Sequence, residues 1–362
     1  MMQLEPVFKT DKWPILIAGP CSAETEEQLI QTARGLADMK IDLFRSGVWK
    51  PRTRPNAFEG VGEQALPWLQ RVQKEFGFKV CTEVANTAHV DMCLKAGIDV
   101  LWIGARTTVN PFSVQEIANA LTGTNIPVLV KNPVSPDLSL WLGAIERLYN
   151  AGIKKIAVVH RGFSTLEKTR YRNKPQWEIA LELKRHLPDI QLIVDPSHIC
   201  GNKENLQHIS QKALDLNYDG IMLETHIDPE NAWSDAEQQV KPLQFKNIID
   251  SLILRNKFSK DLAFLENLKQ LRTQIDQIDI DLIHLLSDRM LISEHIACLK
   301  KENNISIFQH ERWNEVISHS IEEAQKVGLS EAFVHKLLNA IHEESINHQD
   351  IVMNIQKKDR NI

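Results

Sequence analysis

A (β/α)8 barrel of the α/β class, followed by an all-helical segment, is the architecture this sequence predicts. Three observations lead there. Eight short apolar runs alternate with amphipathic helical stretches over the first two thirds of the chain. Those runs are apolar without strict alternation, as strands buried on both faces of a parallel sheet are. After residue 260 no strand candidate remains, Gly328 is the sole glycine, and apolar residues recur at steps of three and four.

The runs are WPILIAGP (13–20), KIDLFRSG (40–47), FKVCTEV (78–84), VLWIGAR (100–106), PVLVKN (127–132), KIAVVHRG (155–162), QLIVDPSH (191–198) and GIMLETH (220–226). Helical patterns such as TEEQLIQTARGLADMK and DLSLWLGAIERLYNAG separate them, and Thr25 with Gln28 reads as a capping box. A further helical segment near 240–255 follows the eighth run. Eight repeats over 255 residues match the size of such a barrel.

RNKFSKD (255–261) then reads as a polar linker, which sets a barrel at 1–255, a linker at 256–264 and a helical domain at 265–362. Leu268, Leu271, Ile275, Ile278, Leu282, Leu285, Ile292, Ile296 and Leu299 form a heptad seam on a helix of roughly 35–40 residues. A second helix is predicted over about 309–326, ended by Gly328, and a third, capped by Ser330, to about 355. Three helices, one of them this long, cannot bury the seam alone. A homodimer through the helical domain is therefore expected, a higher even oligomer being compatible with it.

At 362 residues the chain exceeds one ordinary domain, and 43% hydrophobic with 25% charged residues reads as soluble and globular. A net charge of −5 argues against nucleic acid as a partner. Cys21, Cys81, Cys93, Cys200 and Cys298 are scattered without a C-x-x-C pair, so neither a disulfide frame nor a zinc ribbon is expected. The opening residues lack the pattern of a secretory leader, and no apolar run is long enough to span a membrane. A cytoplasmic protein without membrane contact is expected.

In a barrel of this kind chemistry gathers at the C-terminal ends of the strands. Those ends read Cys21, Arg45, Glu83, Arg106, Lys131, Arg161, His198 and Glu224, every one polar or ionisable. A lone cysteine is more often packing and a lone arginine more often a surface pair, but eight such ends together are not accidental. Cys21, His198 and Glu224, with Asp235 on the next loop, form a donor set suited to Mn²⁺, Fe²⁺, Co²⁺ or Zn²⁺. The segment GVWKPRTRPNAFEG (47–60) adds Lys50, Arg52 and Arg54, stiffened by Pro51 and Pro55. Arg45, Lys50, Arg52, Arg106, Lys131 and Arg161 would repel one another at one mouth unless anions lay between them. Arginine forks fit phosphates and carboxylates, so small phosphorylated substrates are expected.

AGPCSAE, FRSGVWKPRTRPNAFEG, WIGARTT, VKNP, VVHRGFS, VDPSH and MLETH with WSDAEQ resemble 3-deoxy-D-arabino-heptulosonate 7-phosphate (DAHP) synthases of the short-barrel type I group, over about residues 1–255. The resemblance implies condensation of phosphoenolpyruvate with erythrose 4-phosphate at a divalent metal, Mn²⁺ foremost, held by Cys21, His198, Glu224 and Asp235. It implies Arg106, Lys131 and Arg161 on the phosphoenolpyruvate phosphate, Arg45 and Lys50 near its carboxylate, and Arg52 with Thr53 on the sugar phosphate. Lys50 would act as general acid, His160 and Asp195 would support the metal ligands, and Glu83 would orient water. The loop KPRT argues against the related synthases of eight-carbon sugar acids. A Schiff-base aldolase using Lys131 is the alternative without metal.

The tail has a flaw in its seam, because the 3–4 spacing continues onto Arg289, a costly residue in an apolar helical core unless paired. Asp279 or Glu294 of a neighbouring chain is one candidate partner and an anionic ligand the other. LKQLRTQIDQIDIDLIHLLSDRMLISEHIACLKKENN and HEESINHQ resemble the first and third helices of all-helical chorismate mutases, over about 265–355. The resemblance implies a site of Arg272, Arg289, Lys300, Arg312, Ser345 and Gln349 that turns chorismate into prephenate, with Arg272 reaching across a dimer. Trp313 after Arg312, and Gln309, depart from the pattern of that family. A non-catalytic tail that senses chorismate or prephenate and inhibits the barrel is the competing expectation, and feedback by prephenate fits both.

Overall fold

The computed structural model describes residues 2–9, 12–52, 57–166, 169–256 and 258–354. The chain divides into two compact units, Met1–Lys257 and Phe258–Ile362.

In the first unit eight parallel strands close into a barrel in sequence order: β1 Ile15–Gly19, β2 Leu43–Arg45, β3 Val80–Val84, β4 Val100–Ile103, β5 Val128–Lys131, β6 Ile156–His160, β7 Gln191–Val194 and β8 Gly220–Glu224. Each run predicted as a strand contains one. Register closes the ring, with Gly19 opposite Glu224 and Ala18 opposite Phe44. Around it lie α1 Glu26–Leu36, α2 Leu66–Phe76, α3 Thr87–Lys95, α4 Ala105–Thr108, α5 Pro111–Leu121, α6 Leu138–Asn150, α7 Trp177–His186, α8 Pro196–Cys200, α9 Leu206–Asp215 and α10 Pro242–Asp250. Thr25 caps α1 by accepting from the Gln28 amide at 3.1 Å, but the Gln28 side chain turns back to the Glu24 amide, so the box is not reciprocal.

Strand alternation sorts the side chains into two cores. Ile15, Ile17, Leu43, Cys81, Trp102, Leu129, Val159, Ile193 and Met222 fill the barrel, and Phe8 belongs to the same cluster. Phe8 is tied down by paired bonds of its backbone with the Gln191 side chain, both 3.0 Å. The alternate residues, such as Ala18, Phe44, Val84, Val130 and Val158, face the helices.

One glycine is decisive for the site. Gly19 has φ +140°, and a Cβ there would meet the Arg45 carbonyl oxygen at 2.1 Å. β1 and β2 therefore approach backbone to backbone immediately before Cys21 and at Arg45.

In the second unit α11 Leu262–Glu302 (41 residues), α12 His310–Lys326 and α13 Glu331–Asn354 form an all-helical array. Asp261 caps α11 by accepting from the Phe264 amide at 3.1 Å. The face of α11 buried within the chain is not the heptad seam but Met290, Ser293 and Ala297. Leu271, Ile275, Ile278, Leu282, Leu285 and Ile292 stand exposed. Among the described residues no helix is long and apolar enough to cross a membrane.

Gly19→Ala should destabilise the barrel by on the order of 3 kcal/mol, because it adds both a disfavoured φ and a backbone clash. A thermal unfolding curve within a degree of the parent would refute the tight β1–β2 approach.

Candidate active sites

The inward stripe of each strand continues past the hydrophobic core into polar residues. Ile17 and Gly19 lead to Cys21, Leu43 to Arg45, Cys81 to Glu83, Leu129 to Lys131, Val159 to Arg161, Ile193 to Asp195 and Met222 to Glu224. Every second residue faces inward, so these seven converge on the mouth of the barrel. Arg106 and His198 come instead from α4 and α8. Cys21, Arg45, Lys50, Arg52, Glu83, Arg106, Lys131, Arg161, His198 and Asp235 line one pocket of about 660 Å³, with Trp102 and Arg172.

Its floor is a set of buried charges. Arg45 Nη1 stands 3.0 Å from Glu224 Oε1, both side chains almost wholly inaccessible. Arg45 Nη2 donates to the Cys21 carbonyl at 3.1 Å, and its guanidinium lies 4.9 Å from the Trp102 ring centroid. Lys131 Nζ pairs with Asp195 Oδ2 at 3.2 Å, and His198 Nδ1 lies 2.8 Å from the same oxygen. Burial alone would raise the Asp195 carboxyl, but His198 and Lys131 hold it well below the usual range. The Glu83 carboxylate is engaged with the Trp102 indole, which donates to Oε2 at 2.8 Å.

Nearer the opening, Asp235 adopts a left-handed backbone, φ +48°, a conformation that an aspartate tolerates better than most residues. Its Oδ2 lies 3.2 Å from Cys21 Sγ, 3.6 Å from Lys50 Nζ and 3.7 Å from Arg52 Nη1, while Oδ1 accepts from Arg172 at 2.9 Å. The Lys50 ammonium rests against Cys21 Sγ. Burial pushes the Cys21 thiol up to about 12, with Glu224 adding to the effect, so the thiol stays protonated near neutrality despite the Lys50 ammonium beside it. Arg161 donates to Asn173 Oδ1 at 2.7 Å and faces no carboxylate at bonding distance among the described residues. Burial, then the charges of Arg172 and Arg106, push it down to about 10 against the pull of Asp195. It stays charged at neutral pH, and it is undercompensated.

Cys21, His198 and Asp235 line this pocket, and Glu224 is fully buried beneath it, 3.7 Å from His198 Nε2. Among the described residues no three of them are drawn close enough around one point to form a ready-made ion site. The chemistry nonetheless fits. Glu224 Oε1 and His198 Nδ1 are buried without a well-aligned hydrogen bond, and His198 Nε2 faces Glu224 Oε1 at 3.7 Å.

A second site lies within the helical unit. Arg289 on α11 donates to Ser345 Oγ on α13. Lys300 donates to the Ile307 carbonyl at 2.5 Å and to Gln349 Oε1 at 3.4 Å, and Gln349 donates to Ser293 at 3.2 Å. Ser345 and Gln349 are buried and four residues apart, so they share one stripe of α13.

Comparison with known proteins fits both units. The DAHP synthetase I family profile matches residues 6–260. The chain belongs to that family. The chorismate mutase type II profile matches residues 271–350. The chain thus carries a DAHP synthase domain and a chorismate mutase domain, and both enzymes serve the shikimate pathway. A phospho-2-dehydro-3-deoxyheptonate aldolase of Thermotoga maritima is 32% identical over 66% of this chain and 68% of its own length. The crystal structure of DAHP synthase from the same organism matches with TM-score 0.59 at 31% identity, over 66% of this chain and 67% of that one. A 2-dehydro-3-deoxyphosphooctonate aldolase of Wolinella succinogenes is 26% identical over 66% of this chain and 98% of its own length.

Of the residues expected in the synthase site, Thr53 and its neighbour Arg54 lie outside the described residues. The remainder share the barrel mouth except His160. Because Val159 and Arg161 point inward, His160 points out, between Trp141, Phe163 and Trp177. Its Nε2 must donate to the Pro175 carbonyl, 2.6 Å away, which leaves Nδ1 to accept from the Tyr218 hydroxyl at 2.8 Å. Arg172 and Asn173 were not anticipated. They sit on the long segment between β6 and α7, away from any strand end, and only their proximity in space marks them.

Of the residues expected in the mutase site, Arg289, Lys300, Ser345 and Gln349 come together. Arg272 is exposed on α11, seventeen residues before Arg289, or about 25 Å along the helix. Arg312 is exposed and pairs with Glu315 at 3.0 Å. Within one chain Glu294 pairs with His348 at 2.7 Å.

Burial lowers the folded-state pKa of His160 from 6.5 to about 4. The unfolded chain therefore binds more protons between those values, and stability should fall by up to about 3 kcal/mol as pH drops through that window. Denaturation midpoints from pH 7 to 4, followed by tryptophan fluorescence, should show this slope in the parent and a flatter one in His160→Gln. Equal slopes would refute the buried neutral tautomer.

Proposed function

We propose that the barrel joins phosphoenolpyruvate to erythrose 4-phosphate with the help of a divalent metal. The helical unit rearranges chorismate to prephenate, and prephenate feeds back on the synthase. Within this reading the domains are a barrel at 1–255, a linker at 256–264 and a mutase at 265–362, and the protein is a cytoplasmic homodimer. The observation that carries the synthase half is the undercompensated Arg161 beside Arg106, Lys131 and Arg172, next to a thiol, an imidazole and two carboxylates.

Cys21, His198, Glu224 and Asp235 would hold the metal, Mn²⁺ being the first choice with Fe²⁺, Co²⁺ and Zn²⁺ as alternatives. Bound there, the ion would polarise the sugar aldehyde as a Lewis acid. Arg161, Arg106 and Lys131 take the phosphate of phosphoenolpyruvate, whose charge relieves their mutual repulsion. Arg45, whose buried Nε lacks an acceptor, faces its carboxylate. Arg52, held at the rim by its bond to the Phe58 carbonyl at 2.9 Å, meets the distal phosphate of the sugar. The enol carbon attacks the aldehyde carbon, a carbon–carbon bond forms, and the aldehyde oxygen becomes an alkoxide. Burial disfavours the Lys50 ammonium, but Cys21, Glu224 and Asp235 more than offset it and leave its pKa raised. Lys50 therefore arrives protonated and delivers its proton to that alkoxide. Water then adds at C2 of the former phosphoenolpyruvate, and inorganic phosphate leaves.

In the helical site Arg289 holds a carboxylate of chorismate, and Lys300 and Gln349 donate to the ether oxygen as its bond breaks. An intramolecular rearrangement needs conformational restraint and electrostatic stabilisation, not a nucleophile. Arg272, about 25 Å along α11 from Arg289, and Arg312, exposed on α12, complete the site across the dimer and on ligand binding. The exposed seam of α11 supports the dimer.

Consumption of phosphoenolpyruvate, followed by its ultraviolet absorbance, should stop after chelation and return with Mn²⁺. Undiminished consumption in the presence of the chelator would defeat the metal reading, and no consumption under any divalent ion would defeat the synthase reading. A five-carbon aldose phosphate that outperformed erythrose 4-phosphate would move the barrel to the eight-carbon chemistry. Prephenate should lower the synthase rate several-fold at concentrations that saturate the helical site. An unchanged rate there would remove the feedback while leaving both activities standing.

A further inference from the structure

His342 lies one turn before Ser345 and two turns before Gln349 on α13, at positions i, i+3 and i+7 of one stripe. Its ring stacks on Trp313 of α12, centroids 3.9 Å apart and planes 16° from parallel, with Phe308 at 5.9 Å. Its Nε2 is shut off from water and has no hydrogen-bond partner. A buried imidazole nitrogen left without a partner is costly unless something arrives to bond it. The charges that act on it are the cations Arg289 and Lys300, whose partners Ser345 and Gln349 lie on the same stripe of α13.

We propose that His342 is a ligand-binding residue of the helical site, its Nε2–H donating to the dicarboxylate held by Arg289 and Lys300, with Trp313 fixing the plane of the ring. This rests on the mutase reading of that site and adds a contact to it. Trp313 departs from the family's pattern, and here it serves as the flat support for the histidine. Burial first, then Arg289 and Lys300, lower the pKa of the ring, which favours its neutral form while the site is empty. A dianion would cancel that field, and the ring would take up a proton as the ligand binds.

The elements packed here offer other groups that titrate, so the test is comparative. His348 on α13 pairs with Glu294 of α11 and with Glu344. His310 contacts Asn314 and the Phe308 ring, and the Arg312–Glu315 pair sits on α12. All of these remain in both variants, His342→Phe and His342→Gln.

Using the full chain, chorismate turnover and prephenate affinity would be measured from pH 6 to 8. His342→Phe keeps an aromatic ring against Trp313 but loses the donor, and should raise KM and Kd about tenfold. His342→Gln keeps a donor but not the proton. It should bind within a few-fold of the parent at pH 8 and fail to tighten as the parent does toward pH 6. Calorimetry in two buffers of different ionisation enthalpy should show proton uptake on prephenate binding in the parent and less in His342→Gln. Unchanged affinity and an unchanged pH profile in both variants would overturn the proposal. If either variant failed to fold, equal heats in the two buffers for the parent would overturn it by themselves. A parent that neither turned over chorismate nor bound prephenate would instead defeat the mutase reading. Normal parent activity with indifferent variants would defeat only the role of His342.

Discussion

Arg45 and Glu224 meet at 3.0 Å at the top of β2 and β8, and neither is open to water. A buried charge without a partner would cost several kcal/mol, so each residue depends on the other being held in place. What holds them is the short β1–β2 approach at Gly19, the closure of β1 on β8, and the Trp102 ring beneath the guanidinium. Lys131 and Asp195 repeat the arrangement across the barrel, sharing the same Trp102 ring and adding His198. The hydrophobic barrel below is thus a platform that makes these pairings obligatory. The pocket above inherits side chains already fixed before any substrate arrives.

The same constraint explains how much could be read from the sequence. Eight apolar runs were enough to give the barrel, because a parallel sheet covered on both faces leaves that signature in composition alone. The polar strand ends Arg45, Lys131, Arg161 and Glu224 could be read for the same reason. Side-chain alternation also contained the position of His160, since a residue between inward Val159 and Arg161 must face out. Arg106 and His198 reach the mouth from single-turn helices after the strands, and no periodicity announces these. Arg172 and Asn173 could not be read at all, because a loop residue's place in space is set by the rest of the fold.

In the helical unit, periodicity showed the length of α11 and the stepping of its seam, but not which face packs inside the chain. That face is the less hydrophobic one. Ser293 and Ala297 are small enough to let α13 lie close, and Ser293 also accepts from Gln349. The larger seam residues are left for another surface. Arg289 stood out in the sequence because it broke an apolar pattern. His342 did not, because a histidine on an amphipathic helix of mixed polarity carries no signal until its Nε2 is found enclosed and unbonded.

The two sites balance their cations in opposite ways. In the barrel, carboxylates stand among the cations: Glu224 by Arg45, Asp195 by Lys131, Asp235 by Arg172 and Lys50. Only part of the positive charge is left over, concentrated at Arg161 and Arg106. Such a site can grip one phosphate while its carboxylates, imidazole and thiol remain beside it as further polar groups. In the helical site, Arg289 and Lys300 have no carboxylate partner among the described residues and are met by neutral groups alone: Ser345, Gln349 and the Ile307 carbonyl. Their field is unspent until a dianion enters. A rearrangement that moves no proton and expels no group asks for little beyond such a field in a fixed cage. The contrast in counter-charge, more than the contrast in fold, is what suits each unit to its reaction.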